Sequence, residues 1–323
     1  MEAKVWSDRW RLAMLEKNDI VRAGLWATIV AMTFVLFHCQ GNTTDLAHFG
    51  RSALLWMVGY WNDAAAFGGS DYSHGWLIPI GALFLIWLRR NEIRAAPWKT
   101  SYAGLAMMVF ALLLHWLGAK SQQTRVSLLG LVVLTWALPF YFCGWRVAKL
   151  LLFPCSFLIF CIPLNFLEDM TSPLRIVASV CSTTMLNGLG CHVERAGTSI
   201  VSVGSDAIAL DVADPCSGIR SLLALAALTS FYGSLTQKTL PKKWLLFVSA
   251  LPLAVIGNVV RITSVGLISQ AFGKKLAEYA HDYNGYIVFA VALGLMLLIG
   301  NFLNMDFNEV RARWRHALLN PSS

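Results

Sequence analysis

A run of apolar residues closed by a short basic cluster recurs along this chain, and that rhythm limits its fold more than any other feature. An apolar run of about twenty residues matches the hydrocarbon thickness of a bilayer when helical, and a helix satisfies its own backbone hydrogen bonds there. Runs over residues 23–39, 75–88, 102–118, 126–143, 150–167, 217–235, 244–268 and 285–303 predict eight such helices. The stretch 54–60 is also apolar but too short to cross, and reads as an interfacial helix. Composition agrees, with 57% hydrophobic and 14% charged residues and a mean hydropathy of +0.58. A soluble domain carries roughly a quarter charged residues, so the chain is read as an integral membrane protein.

The net charge of +8 is not a sign of nucleic-acid binding, because the basic residues sit in short loops. With the N-terminus inside, the clusters at 9–22, 89–99, 146–149, 238–243 and 311–315 all fall in the cytoplasm, as the positive-inside bias asks. That agreement requires residues 174–189, whose apolar pattern is diluted by Ser, Thr and Asn, to lie at the outer surface or re-enter without crossing. Residues 198–212 alternate as strands do (Ile200, Val201, Val203, then Ile208, Leu210, Val212) around Gly204-Ser205-Asp206, which predicts a β-hairpin. An unclosed hairpin cannot sit in lipid. The expected fold is an all-α polytopic membrane protein of about eight transmembrane helices, with a small extracytoplasmic β-hairpin inserted before the sixth. Basic segments 1–22 and 304–323 flank a single transmembrane domain over 23–303, in which 168–215 forms an outer amphipathic helix and hairpin. The first apolar run is followed by many more and lacks a cleavage site, so it is expected to stay as an anchor.

Seven cysteines without a CxxC or Cys/His ligand spacing argue against a zinc site, and several lie inside apolar runs, which argues against a disulfide framework. One cysteine stands apart. Asp214-Pro215-Cys216-Ser217-Gly218-Ile219-Arg220 marks the passage from the polar segment to the sixth apolar run, with Cys216 at or beside a helix start. Unpaired first-turn N–H groups and the helix dipole favour a thiolate there. Arg220 adds positive charge on the same face, while Asp214 opposes it or pairs with Arg220. The competing reading is a buried structural cysteine.

On the proposed topology Cys216 faces outward, and two further features face the same way. Asn258 and Arg261 are three residues apart in the outer half of the seventh run, on one helical face. An arginine within a span marks a functional site or a buried pair, unless it snorkels to the interface. His281-Asp282 lie in a short polar loop expected over residues 273–284 before the eighth run, and a histidine there is either solvated or a partner for the thiol. A thiol attacking a peptide carbonyl needs a group to take its proton, which histidine suits near neutral pH. The tetrahedral intermediate needs donors, which Arg261 and the backbone of Ser217-Gly218 supply, and Asn258 or Asp282 is suited to orient His281. His74, just before the second run, either positions substrate or caps its helix.

Taken together, Pro215-Cys216-Ser217-Gly218-Ile219-Arg220, Asn258-x-x-Arg261, His281-Asp282 with Gly285, and Tyr72-Ser73-His74-Gly75-Trp76-Leu77-Ile78-Pro79 resemble the exosortase/archaeosortase family over roughly residues 70–300. These are polytopic membrane cysteine transpeptidases. The resemblance implies Cys216 as nucleophile, Arg261 as transition-state stabiliser and His281 as base or ion-pair partner, with no cofactor. It implies as substrates secreted proteins with a C-terminal sorting tail: a short Pro-Glu-Pro-like motif, one hydrophobic span and a basic end. A thioester on Cys216 would pass to an extracytoplasmic acceptor, a lipid or another surface group, at the outer face of the cytoplasmic membrane. A membrane cysteine protease that only hydrolyses uses the same residues. A non-enzymatic transporter or scaffold is the more distant alternative, disfavoured by the scarcity of acidic residues within the spans and the lack of an inverted repeat.

Overall fold

The computed structural model describes residues 21, 23–63, 72–163, 172–203, 209–211 and 219–305. The chain divides into two compact units, one of residues 1–67 and 82–163, the other of residues 68–81 and 164–323. The architecture is that of an all-α polytopic membrane protein carrying one small sheet.

The first unit begins with α1 (Ala23–Gln40), the short α2 (Leu46–Phe49) and α3 (Ala53–Asp63). Helix α4 (Leu77–Leu88) continues a 3-10 turn over Ser73–Trp76, and only its residues from 82 onward belong to this unit. Then come α5 (Arg90–Ala95), α6 (Tyr102–Lys120), α7 (Thr124–Cys143) and α8 (Trp145–Phe157), the last continued by a 3-10 turn to Cys161. Helices α6 and α7 form an antiparallel hairpin built on small residues, the usual way helices approach closely in lipid. A methyl group on Gly118 would lie 2.5 Å from the Ser127 nitrogen, and one on Gly130 would lie 2.7 Å from the Ala111 carbonyl. Across this contact the His115 Nδ1 and Ser127 Oγ pair at 2.8 Å. In α8, Pro154 has no N–H to offer the Leu150 carbonyl one turn earlier, and the Arg89 guanidinium donates to that oxygen at 2.9 Å instead.

The second unit holds α9 (Ser172–Gly188), the strands β1 (Val193–Ala196), β2 (Ser199–Ser202) and β3 (Ala209–Asp211), then α10 (Ile219–Thr236), α11 (Leu240–Phe272) and α12 (Lys274–Asn304). The strands form an antiparallel meander in the order β1-β2-β3. The expected hairpin is the β2–β3 pair, with Ile200 opposite Leu210. The strand β1 before it was not anticipated. It joins β2 through Gly197-Thr198, where the positive φ of Gly197 (66°) suits a two-residue hairpin turn opened by glycine.

Five described helices are long and apolar enough to cross a membrane: α1, α6, α7, α11 and residues 287–304 of α12. Two of the other expected spans, Ser73–Leu88 and Leu222–Thr236, are apolar but shorter. The stretch expected at 150–167 departs most. Its helix begins earlier, so that the basic turn 146–149 is helical, and it gives way to the 3-10 turn before Pro163. The polar loop expected at 273–284 is also absent. Gly273 alone, at φ 84°, separates α11 from α12, and residues 274–284 are the first turns of α12. The flanking segments 1–20 and 306–323 lie outside the described residues.

Helix α9 is amphipathic in a reversed sense. Ala178, Ser179, Ser182 and Leu186 are buried, while Ile176, Val177, Val180 and Met185 are exposed. Its small and polar face meets α11, where the Ser182 hydroxyl donates to the Val259 carbonyl at 3.4 Å and Leu186 lies over Gly266. An apolar outward face is what contact with hydrocarbon demands. The end of α9 also holds the sheet. Asn187 donates through Nδ2 to the Val193 carbonyl at 3.0 Å and accepts from the Val193 N–H at 2.9 Å. One core cluster then joins Ala178 and Leu186 of α9, Cys191 just before the sheet, Val193 and Ile200 within it, and Val259 and Ile262 of α11.

Candidate active site

Residues 212–218, and with them Asp214, Cys216, Ser217 and Gly218, lie outside the described residues. What brackets them is described: the end of β3 at Asp211 and α10 from Ile219, both in the second unit. Only the backbone of Arg220, His281 and Asp282 is described, the first in α10 and the other two in α12.

The helices fix the level at which these pieces stand. Helix α10 runs antiparallel to α11, with Gly233 facing Leu246, and parallel to α12, with Tyr232 stacked against Gly300. The far ends are tied by Gln237 Nε2 donating to the Gly300 carbonyl at 3.0 Å and Asn304 Nδ2 donating to the Thr236 carbonyl at 3.3 Å. From Gly233 back to Ile219 and from Leu246 on to Val260 is the same length of helix, about 21 Å at roughly 1.5 Å per residue. From Tyr232 back to Ile219 and from Gly300 back to Ile287 the lengths again match, at about 20 Å. Ile219, Arg261 and Gly285–Ile287 therefore share one level to within about a helical turn.

Arg261 is the described centre of this level. It is half-buried, its Nε is shut off from solvent, and its guanidinium lies flat against Gly285 of α12. A methyl group on Gly285 would meet Cζ at 3.6 Å, Nη2 at 3.7 Å and Nε at 3.9 Å. Glycine thus lets the guanidinium approach the α12 backbone, and a larger side chain there would displace it. Asn258 precedes Arg261 on the same face and is buried, at 7% exposure. One turn before Gly285 on α12 stands position 281, in the stripe Ala277–281–Gly285 whose described members are buried or half-buried. In the antiparallel pairing of α11 and α12, Gly257 stands against Val288 and Arg261 against Gly285.

His74 belongs to the same unit, in the 3-10 turn that runs directly into α4, so it does not cap that helix as an N-cap residue. Its ring rests on Tyr72, with centroids 5.5 Å apart, and Tyr72 is buried. Residues 273–284, expected as a polar loop, are helical from Lys274 on, and Gly285 is the residue against which Arg261 lies. The signal was present in the fourfold spacing of Ala277, His281 and Gly285, which is helical.

Compared with known families, the chain matches the transmembrane exosortase over residues 61–298. It belongs to that family. No curated protein and no solved structure matches it. Exosortases are membrane cysteine peptidases and transpeptidases that act on secreted proteins bearing C-terminal sorting signals. The matched region takes in every residue singled out above, from His74 to Gly285.

Proposed function

We propose that this exosortase cleaves a C-terminal sorting tail from secreted proteins through a thioester on Cys216 and transfers the acyl group to an extracytoplasmic acceptor. The observation that carries the reading is Arg261, an arginine well inside a long apolar helix, seated on Gly285 and level with the start of α10. An arginine held at that depth is costly and calls for a purpose. A fixed guanidinium offers planar donors to an oxyanion, which an ammonium does not.

In the proposed reaction, the Cys216 sulfur attacks the scissile carbonyl carbon as His281 takes the thiol proton. Arg261 and the backbone N–H groups after Cys216 bind the resulting oxyanion. Collapse of the intermediate breaks the peptide C–N bond, and the amine of the tail leaves with the proton from His281. An acceptor nucleophile then attacks the thioester, giving its proton to His281 and releasing the Cys216 thiolate, which is reprotonated. Asn258 or Asp282 orients the histidine, Arg220 tunes the thiol, and His74 positions substrate. A hydrophobic tail with a basic end, held in the same membrane, keeps substrate and enzyme at high effective concentration.

The test is Cys216→Ala in cells producing a tailed substrate. Uncleaved, membrane-held substrate is expected to accumulate, and normal processing would contradict the proposal. The mass of the new C-terminus separates the two enzymatic outcomes, since transfer adds an acceptor and hydrolysis adds only water.

A further inference from the structure

Two adjoining clefts lie within the first unit, which holds none of the candidate site residues. One, of about 520 Å³, is lined by Leu25, Trp26, Trp98, Lys99 and Phe142 among others. The second, of about 390 Å³, shares Lys99 and Thr100 with it and adds Ser101, Gly144, Trp145 and Arg146. Both volumes fall in the range that holds small ligands.

Charge in the clefts is of one sign. Lys99 and Arg146 are the charged side chains among the described residues lining them, and no described lining residue is Asp or Glu. The backbone adds to this. Lys99 donates its N–H to the Cys143 carbonyl at 3.4 Å, and Ser101 donates to the Tyr141 carbonyl at 2.9 Å, so these two carbonyls at the negative end of α7 are already taken. The positive ends of α6 and α8 open at the clefts through Ser101 and Gly144, with neither a side-chain cap nor an acidic first turn. Beside them the Lys149 ammonium stands over the Trp145 ring, 5.3 Å from its centroid.

The other walls are apolar. Trp98 and Trp145 are each half exposed, and Leu25 of α1 is similarly open. Aromatic rings beside a basic rim at the ends of membrane-spanning helices mark headgroup depth, and these clusters lie on the side that the positive-inside bias assigns to the cytoplasm. A free anion would use the cations and leave this apolar wall without a purpose. We infer that the paired clefts bind the headgroup of an anionic phospholipid, its phosphate between Lys99 and Arg146 and its acyl chains along Leu25 and Trp98.

The experiment uses the full chain purified in detergent, with phosphatidylglycerol, phosphatidylcholine or inorganic phosphate added, read by native mass spectrometry and thermal unfolding. Phosphatidylglycerol alone is expected to be retained and to raise the melting temperature. Lys99→Gln and Arg146→Gln should each weaken that retention about fivefold, as expected for one cation near an anionic surface. Lys99→Arg should restore it, and Lys242→Gln in the second unit should leave it unchanged, which separates site loss from misfolding. Equal retention of phosphatidylcholine, stabilisation by phosphate alone, or undiminished retention by Lys99→Gln/Arg146→Gln would overturn the inference.

Discussion

Arg261 and Gly285 form a pair in which one residue is explained by the other. The guanidinium lies on the α12 backbone because position 285 carries no bulky side chain, with 3.6 Å left for a methyl. Gly285→Ala should therefore keep turnover within about threefold, since a methyl at that distance makes ordinary contact. Gly285→Leu should push the guanidinium aside and lower turnover by about 100-fold, as loss of an oxyanion donor does, while the chain still folds. Equal effects from the two variants would show that Gly285 does not seat the arginine. Arg261→Lys keeps the charge and loses the planar fork, so turnover should again fall about 100-fold or more with substrate retention little changed. At this scale the sequence was informative about identity and poor about geometry. Residue types and intervals singled out Arg261, Asn258 and His281. That Arg261 rests on Gly285 depends on which faces of two helices meet, which no local pattern states.

The sheet and α9 form the element on which the Cys216 segment is strung, since β3 leads directly into it. Asn187 clasps both backbone groups of Val193, a buried residue, and so couples the sheet to the helix. Asn187→Ala should destabilise this element by about 1–3 kcal/mol through the two groups left unsatisfied, seen as faster amide exchange in residues 193–202. Unchanged exchange would mean that the core cluster alone holds the sheet. Strand alternation made β2 and β3 legible, whereas β1, with Glu194 and Arg195 exposed, carries little apolar signal and was missed. Which face of α9 turns outward was not legible, for a related reason. Amphipathicity fixes that a helix has two faces, but which of them turns outward depends on the surrounding solvent. With Val177 and Val180 outward, a charge there meets hydrocarbon if the helix is immersed. Val180→Asp should then cut the membrane-folded yield sharply, at a cost of about 2.5–3.5 kcal/mol, whereas an interfacial α9 would tolerate it.

Across the whole molecule, charge distribution and helix direction make one topological statement. In the second unit, Lys238, Lys242 and Lys243 lie near the α10–α11 junction, and Gly273 marks the opposite end of α11. Reporters fused after residue 238 should read cytoplasmic and reporters inserted at Gly273 should read exterior; the reverse pattern would remove the proposed site from the outer face. Apolar runs made the helical class and membrane setting plain from sequence, because burial in lipid demands them continuously. They did not fix where each helix ends, since Gly144 and Gly273 join neighbouring helices through one residue where charge suggested longer loops. The most direct measurement of the central claim is the mass of the enzyme itself. Full-length protein in liposomes is mixed with a tailed substrate, quenched in acid and digested. The account predicts an acyl adduct on Cys216, labile to hydroxylamine and absent from Cys216→Ala. Tail removal by Cys216→Ala, or an adduct on another residue, would contradict it.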